Sequence, residues 1–211
     1  MKILSTLAMV SMLLLSGCSF VDVDVKGTEI GHHYVGDINE AERYNAGSDY
    51  FAVWIGEADP RLLYIDYGVQ SVPFSATYTL PIEQKVSIKV EAELLFKLKK
   101  NPSDNGNMRY KDDQYAQYFA TSITPTADSS RDYAYSVSPV MLWGKLMSEP
   151  TDLAFRSVFT DSERYDSFDT VESSIVEIQK AIKQELSDKA LQHYIELVGV
   201  KIKDIRTKYN N

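Results

Sequence analysis

The chain has a single cysteine, three histidines and two tryptophans in 211 residues, and fewer cations than anions. One cysteine cannot form a disulfide within the chain, so stability has to come from packing. Against 30 aspartates and glutamates stand 22 lysines and arginines, a formal charge of −8, and no basic cluster interrupts it. Such a chain repels phosphate backbones and anionic headgroups, which argues against nucleic-acid binding. Nothing after Leu15 approaches the ~20 apolar residues that a membrane span requires. No serine sits in a Gly-x-Ser-x-Gly elbow, and no glycine-rich loop ends in Lys-Ser or Lys-Thr, so hydrolase and phosphate-loop signatures are both missing.

The remaining titratable candidates read as structural. His32 and His33 are adjacent, and neighbours in sequence rarely point at one ion; with no cysteine or third histidine nearby they are expected at the surface. His193 falls late in an expected helix, where a protonated ring suits the helix dipole. Asp22 and Asp24 share one side of an extended segment but lack the residue order of a calcium loop, and read as solubilising charge. Asp112-Asp113 follows a turn and opens a helix, as a cap does. No catalytic residue, cofactor or metal is expected.

The one cysteine closes Leu15-Ser16-Gly17-Cys18, after Lys2 and an apolar run from Ile3 to Leu15. A positive start, a short apolar stretch and small residues before a fixed position form an export leader, not a folded element. The small-small-Cys ending resembles the lipobox of bacterial lipoproteins. That resemblance implies cleavage before Cys18, a diacylglyceryl group on its thiol, and membrane attachment through two or three acyl chains at ~0.8 kcal/mol per buried methylene. Loss of residues 1–17 removes Lys2 and leaves 194 residues with 21 basic against 30 acidic, a formal charge of −9. Ser19 stands where an aspartate would favour inner-membrane retention, so in a cell with two membranes the outer one, facing the periplasm, is expected.

Along the mature chain the period changes from two to nearly four. Phe20, Val21, Val23 and Val25 with Asp22 and Asp24 fit a short strand or extended tether. Tyr50 to Ile55 has the composition of a buried strand, Leu62 to Tyr67 reads as another, and Phe74, Ala76, Tyr78 and Leu80 alternate with hydroxyl residues. Val86, Ile88, Val90, Ala92, Leu94, Phe96 and Leu98 then fall at every second position between lysines and glutamates, which predicts a long strand with one face in a core. Asn101 to Gly106 is turn chemistry. A short helix is expected from about Lys111 to Thr121, and an unpacked loop from Thr124 to Asp132. Ser138-Pro139 predicts a capped helix over Val140 to Met147, and Glu149-Pro150 a second carrying Leu153, Ala154, Val158 and Phe159. Trp143, Leu146 and Met147 lie in a stretch too apolar for one helix face; the core accommodates Trp143, and these three are the candidate interaction surface. A main helix is expected to open at Asp169 with Glu172 completing a capping box, to carry Val171, Ile175, Ile178, Ile182, Leu186 and Ala190 inward, and to end on Gly199 as a left-handed cap. A closing strand follows through Val200, Ile202 and Ile205. Strands first, helices after and one terminal strand make an α+β domain.

From about Lys26 to Ile205 this order resembles the SPFH domain, also called Band 7 or prohibitin-homology domain. Gly27-Thr28-Glu29-Ile30-Gly31 is similar to the family's opening after its membrane anchor, and Tyr44 to Phe51 to its glycine turn, without the proline. Ser71 to Leu98 resembles the central hairpin, Leu153 to Phe159 the arginine-bearing helix, and Leu197 to Ile205 the glycine and valine-x-valine strand that close the domain. The resemblance divides the chain into a leader (1–17), a lipidated N-terminus with short tether (18–25), the SPFH-like domain (26–206) and a tail (207–211). It implies an N-terminal, mostly antiparallel sheet, then helices, then a closing strand beside the hairpin. It also implies a non-catalytic scaffold or regulator of membrane or envelope proteins that acts by weak lateral self-association. Relatives usually carry a transmembrane anchor and a long coiled coil, whereas this sequence runs only six residues past Ile205, so a stable ring in solution is not expected. A ligand-binding or envelope-modifying lipoprotein, phage-carried or bacterial, or an accessory subunit of an envelope enzyme, is the alternative.

Overall fold

The computed structural model describes residues 18–54, 60–80, 86–161 and 167–209; the expected leader and the last two residues of the tail lie outside them. The strands are β1 (Cys18–Val25), β2 (Glu29–Val35), β3 (Glu42–Tyr44), β4 (Gly47–Trp54), β5 (Pro60–Asp66), β6 (Gln70–Thr79), β7 (Val86–Leu98), β8 (Thr126–Ala127), β9 (Ala134–Val137) and β10 (Ile195–Tyr209). The helices are α1 (Gln114–Ser122), α2 (Pro139–Leu146), α3 (Ser148–Phe159), α4 (Phe168–Ser173) and α5 (Ile175–Gln192). The chain is of the α+β class, as expected. Its internal contacts fall into two units, one of residues up to Asp66 with Asn101–Val137, the other of Tyr67–Lys100 with the residues from Ser138 on.

In the first unit β1 and β4 form an antiparallel pair, and five strands form a sheet in the order β3-β2-β5-β9-β8. Within that sheet β5 and β9 run parallel. The segment expected as strand or tether is a strand: β1 pairs along its whole length, from Cys18 opposite Trp54 to Val25 opposite Gly47. Its alternation explains why, since Val23 and Val25 pack with Leu62, Tyr64 and Ala134 while Asp24 is exposed. Leu62, Leu63, Tyr64 and Ile65 are all buried, the mark of a central strand covered on both faces. Asp113 caps α1, accepting from the amides of Tyr115 and Ala116 at 3.0 and 3.1 Å. The expected loop Thr124–Asp132 does keep most of its residues exposed, but it is tied to the sheet at two points. Thr126 and Ala127 pair with β9, and Asp128 folds the next turn by accepting from the Ser130 amide at 3.0 Å. That turn drives Arg131 inward.

In the second unit the sheet order is β10-β7-β6, all antiparallel, so the closing strand does lie beside the hairpin. The inward residues of β7, Ile88, Val90, Ala92, Leu94, Phe96 and Leu98, are all buried, as their period predicts. Ser138 caps α2 through the Met141 amide with Pro139 in the first turn. The Trp143 ring lies 4.7 Å from that of Phe96, and Met147 is fully buried. Trp143 and Met147 therefore belong to the core and not to an interaction surface; Leu146 is half-buried, and the exposed apolar residues of α2 are Val140 and Met141. In α3, Phe155 meets Phe74 at 4.3 Å and Phe159 stacks on Tyr78 at 5.5 Å, while Leu153 faces outward.

The long helix differs from its expectation at both ends. Ser167, not Asp169, caps it, and the chain breaks at Ser174 between α4 and α5. Val171, Ile178, Ile182, Leu186 and Ala190 are buried as expected, whereas Ile175 is only half-buried. The helix stops at Gln192, seven residues before Gly199. Tyr194 takes the left-handed conformation with φ 56°, and its carbonyl accepts the Lys99 amide at 2.8 Å, which begins the ladder with β7. Pairing with β7 wins Ile195 to Val198 from the helix, and Gly199 sits at a register shift inside β10.

Candidate functional site

Two buried polar clusters lie in the first unit. The first begins with the turn after Asn101. Asn101 accepts from the Ser103 amide at 3.1 Å, and Asp104 accepts from the amide of Gly106 at 2.9 Å, where φ is 95°. This local winding presents Asp104 to Arg43 of β3, an ion pair of 2.8 Å with both side chains buried. Arg43 also donates to Asn45 Oδ1 at 3.1 Å and to the Met108 carbonyl at 3.2 Å, so its guanidinium pins the turn to the sheet. Burial opposes the Asp104 carboxylate, but the Arg43 and Gly106 hydrogen bonds and the Arg43 charge outweigh it and hold its pKa below the usual carboxylate value.

Opposite Arg43 in the ladder is His32. It is fully buried, edge-on to Tyr110 at 5.3 Å, and among the described residues neither ring nitrogen has a hydrogen-bond partner. Burial, reinforced by the Arg43 charge and opposed by Asp104, lowers its pKa to about 4, so the ring is neutral at ordinary pH. His33 is half-buried, faces Tyr44 at 6.4 Å, and is lowered too, by burial against the opposing charge of Glu42. The expectation of surface histidines fails here because β2 is covered on both sides. Beside this cluster opens a polar cleft of about 490 Å³ lined by residues that include Glu40, Glu42, Arg43, Asn45, Asn107 and Arg109. It carries both signs of charge and suits a polar or zwitterionic group.

The second cluster is built on Arg131. Its guanidinium bonds Glu29 at 2.7 and 3.2 Å, Asp128 at 2.6 Å and the Asp24 carbonyl at 3.0 Å, and lies over the Tyr64 ring at 3.7 Å. These contacts tie the 124–132 segment to β1, β2 and β5. The Ser130 hydrogen bonds and the Arg131 contact, against desolvation, hold Asp128 far below the usual carboxylate range. Burial pushes the Tyr64 hydroxyl up to about 12, with Arg131 opposing. The sequence placed Glu29 in a family-like opening and Asp104 in a turn, but neither these pairings nor Arg43 and Arg131 were legible in it, because lone charges in loops and short strands carry no periodic signal.

The remaining candidates stand apart. Cys18 opens β1, His193 caps the C-terminus of α5, and Asp24 is exposed. Among the described residues no group of three metal-ligating side chains converges, and no helix is long and apolar enough to cross a membrane. No protein-family model and no curated protein matches the chain.

Proposed function

We propose that the chain is a lipid-anchored envelope protein with an SPFH-like domain, acting without catalysis as a scaffold or regulator of membrane partners. The observation that carries this reading is the arrangement of the second unit. A hairpin, β6 and β7, is followed by helices and then by a strand, β10, that returns to the hairpin's inner edge. That is the order the resemblance implies. The leader pattern that ends in Leu15-Ser16-Gly17-Cys18 supports the anchor. Since β1 is paired from Cys18 onward, an acyl group there would leave no slack between lipid and fold and would hold the first unit against the bilayer.

Metabolic labelling with palmitate tests the anchor: the wild type is labelled, and Cys18→Ser is unlabelled and remains an uncleaved precursor. Label on the mutant overturns it. Crosslinking in membranes tests the scaffold, with association expected of the anchored protein and a monomer of the soluble form lacking Cys18. A discrete ring from the soluble form, or no crosslink in membranes, contradicts it. The cleft beside Arg43 favours the alternative of a ligand-binding lipoprotein, and a strict monomer that takes up a polar solute through Asn107 and Arg109 would support that instead.

A further inference from the structure

The two edges of the second unit's sheet are built differently. β10 is blunted. Its register shifts twice, between Leu197 and Gly199 and between Ile202 and Asp204. Side chains of α5 occupy its outward backbone: Gln179 accepts from the Ile202 amide at 2.7 Å, and Lys183 donates to the Val198 carbonyl at 2.7 Å. Glu196, Lys201, Lys203, Asp204 and Arg206 crowd it with charge. Bulges, caps and charges are the devices that keep an edge from pairing with another chain.

Among the described residues β6 shows none of these, its one edge device being a proline. It pairs with β7 from Gln70 to Thr79 without a register break, and among the described residues it has no second strand neighbour. Pro73 fixes which of its groups point outward. Proline has no N–H to give β7, so Pro73 opposite Glu93 is a non-hydrogen-bonded pair. By the two-residue period, Ser71, Ser75, Thr77 and Thr79 share its parity and turn their amides and carbonyls away from β7. β7 agrees, for Lys99, which shares the parity of Glu93, donates to the Tyr194 carbonyl on the β10 side, away from β6. None of the ten residues of β6 is charged. On its inner face Val72, Phe74 and Ala76 are half-buried, whereas their cross-strand partners Leu94, Ala92 and Val90 are 0 to 3% exposed. That row is what a further strand would cover.

We infer that β6 is a pairing edge whose occupant is β6 of a second copy, antiparallel about a two-fold axis. Copies of a chain with formal charge −8 repel one another, and this edge lets them meet without opposing like charges. The strand's hydroxyl and apolar residues are compatible with themselves in either direction. One strand pair buries well under the ~1,200 Å² of a standard interface, so the contact is weak in solution and forms when an anchor concentrates the copies in two dimensions. In strength, though not in geometry, the inference rests on the lipid-anchored reading.

Cys18, the only cysteine, allows a test that bypasses native lipidation. The chain from Cys18 is coupled through its thiol to phosphatidylcholine vesicles carrying a maleimide lipid, with a photo-crosslinking amino acid at Thr77 or, as control, at Lys201. Thr77 should give a covalent dimer on vesicles and Lys201 should not. Ser75→Pro, which removes an outward amide and leaves the β7 ladder whole, should cut the yield at least tenfold with the melting curve retained. Ser75→Lys should act likewise through charge and serves if the proline variant misfolds. Equal dimer from both probe positions, or a yield that neither variant lowers, overturns the inference. So does a Thr77 probe in cells that captures a different protein in place of a copy. Dimerisation on maleimide vesicles by a chain that cells do not acylate would sink the anchored reading alone; acylation without the dimer would sink the edge alone.

Discussion

The guanidinium of Arg131 lies 3.7 Å from the centre of the Tyr64 ring while its nitrogens bond Glu29 and Asp128. A planar cation lies over an aromatic face and is gripped at its rim by two carboxylates, with its side chain 8% exposed. Arg131→Ala would leave Glu29 and Asp128 partly buried without their cation and should cost about 3–5 kcal/mol of stability. Arg131→Lys should recover little, since an ammonium can neither stack nor bind in a fork. Arg156→Ala, which breaks an exposed pair at 3.0 Å, should cost under about 1 kcal/mol. Urea unfolding of the three variants checks the order.

Phe96→Ala should cost roughly 3–5 kcal/mol, because the ring is fully buried against Trp143. Glu91→Ala, on the opposite face of the same strand, should change stability by less than about 0.5 kcal/mol. Equal losses in denaturant titrations would contradict the placement of β7.

His32 should make stability depend on pH. An unfolded imidazole titrates near 6.5 and this one near 4, so between those values the unfolded chain binds more protons and stability falls as pH drops. The full loss is about 3 kcal/mol. His32→Phe should flatten that window, with a residual slope from His33, whose pKa moves the same way. Asp104 and Asp128, both lowered, contribute stability that is present above the ordinary carboxylate pKa and is lost only at more acid pH. Unfolding free energies between pH 4 and 7 decide it. An unchanged slope in the variant refutes the assignment.

Gly199→Ala should be neutral or stabilise by up to about 1 kcal/mol, since its φ is not positive and an added methyl meets nothing within 4 Å among the described residues. Tyr194→Val, a β-branched residue at φ 56°, should cost at least about 1 kcal/mol. Thermal melts compare them. The opposite order would return the helix end to Gly199.

What could be read along the chain is what neighbours in sequence encode. The two-residue period of β7, the Ser138-Pro139 start of α2, the Asp113 cap and the turn after Asn101 depend on side chains within a few positions of each other, and the structure bears each out. The order of elements carried the α+β class. Other features waited for distant partners. Helix α5 ends at Gln192 because β7 offers Ile195 and Leu197 a ladder that local propensity cannot sense. His32 is buried because a second strand and Tyr110 close over it, and Trp143 because Phe96 stands beneath it. Arg131 meets Glu29 across 102 positions of chain. A charged residue in a loop looks the same whether water or a buried carboxylate awaits it, so only the tertiary fold distinguishes a solvated arginine from a clamp.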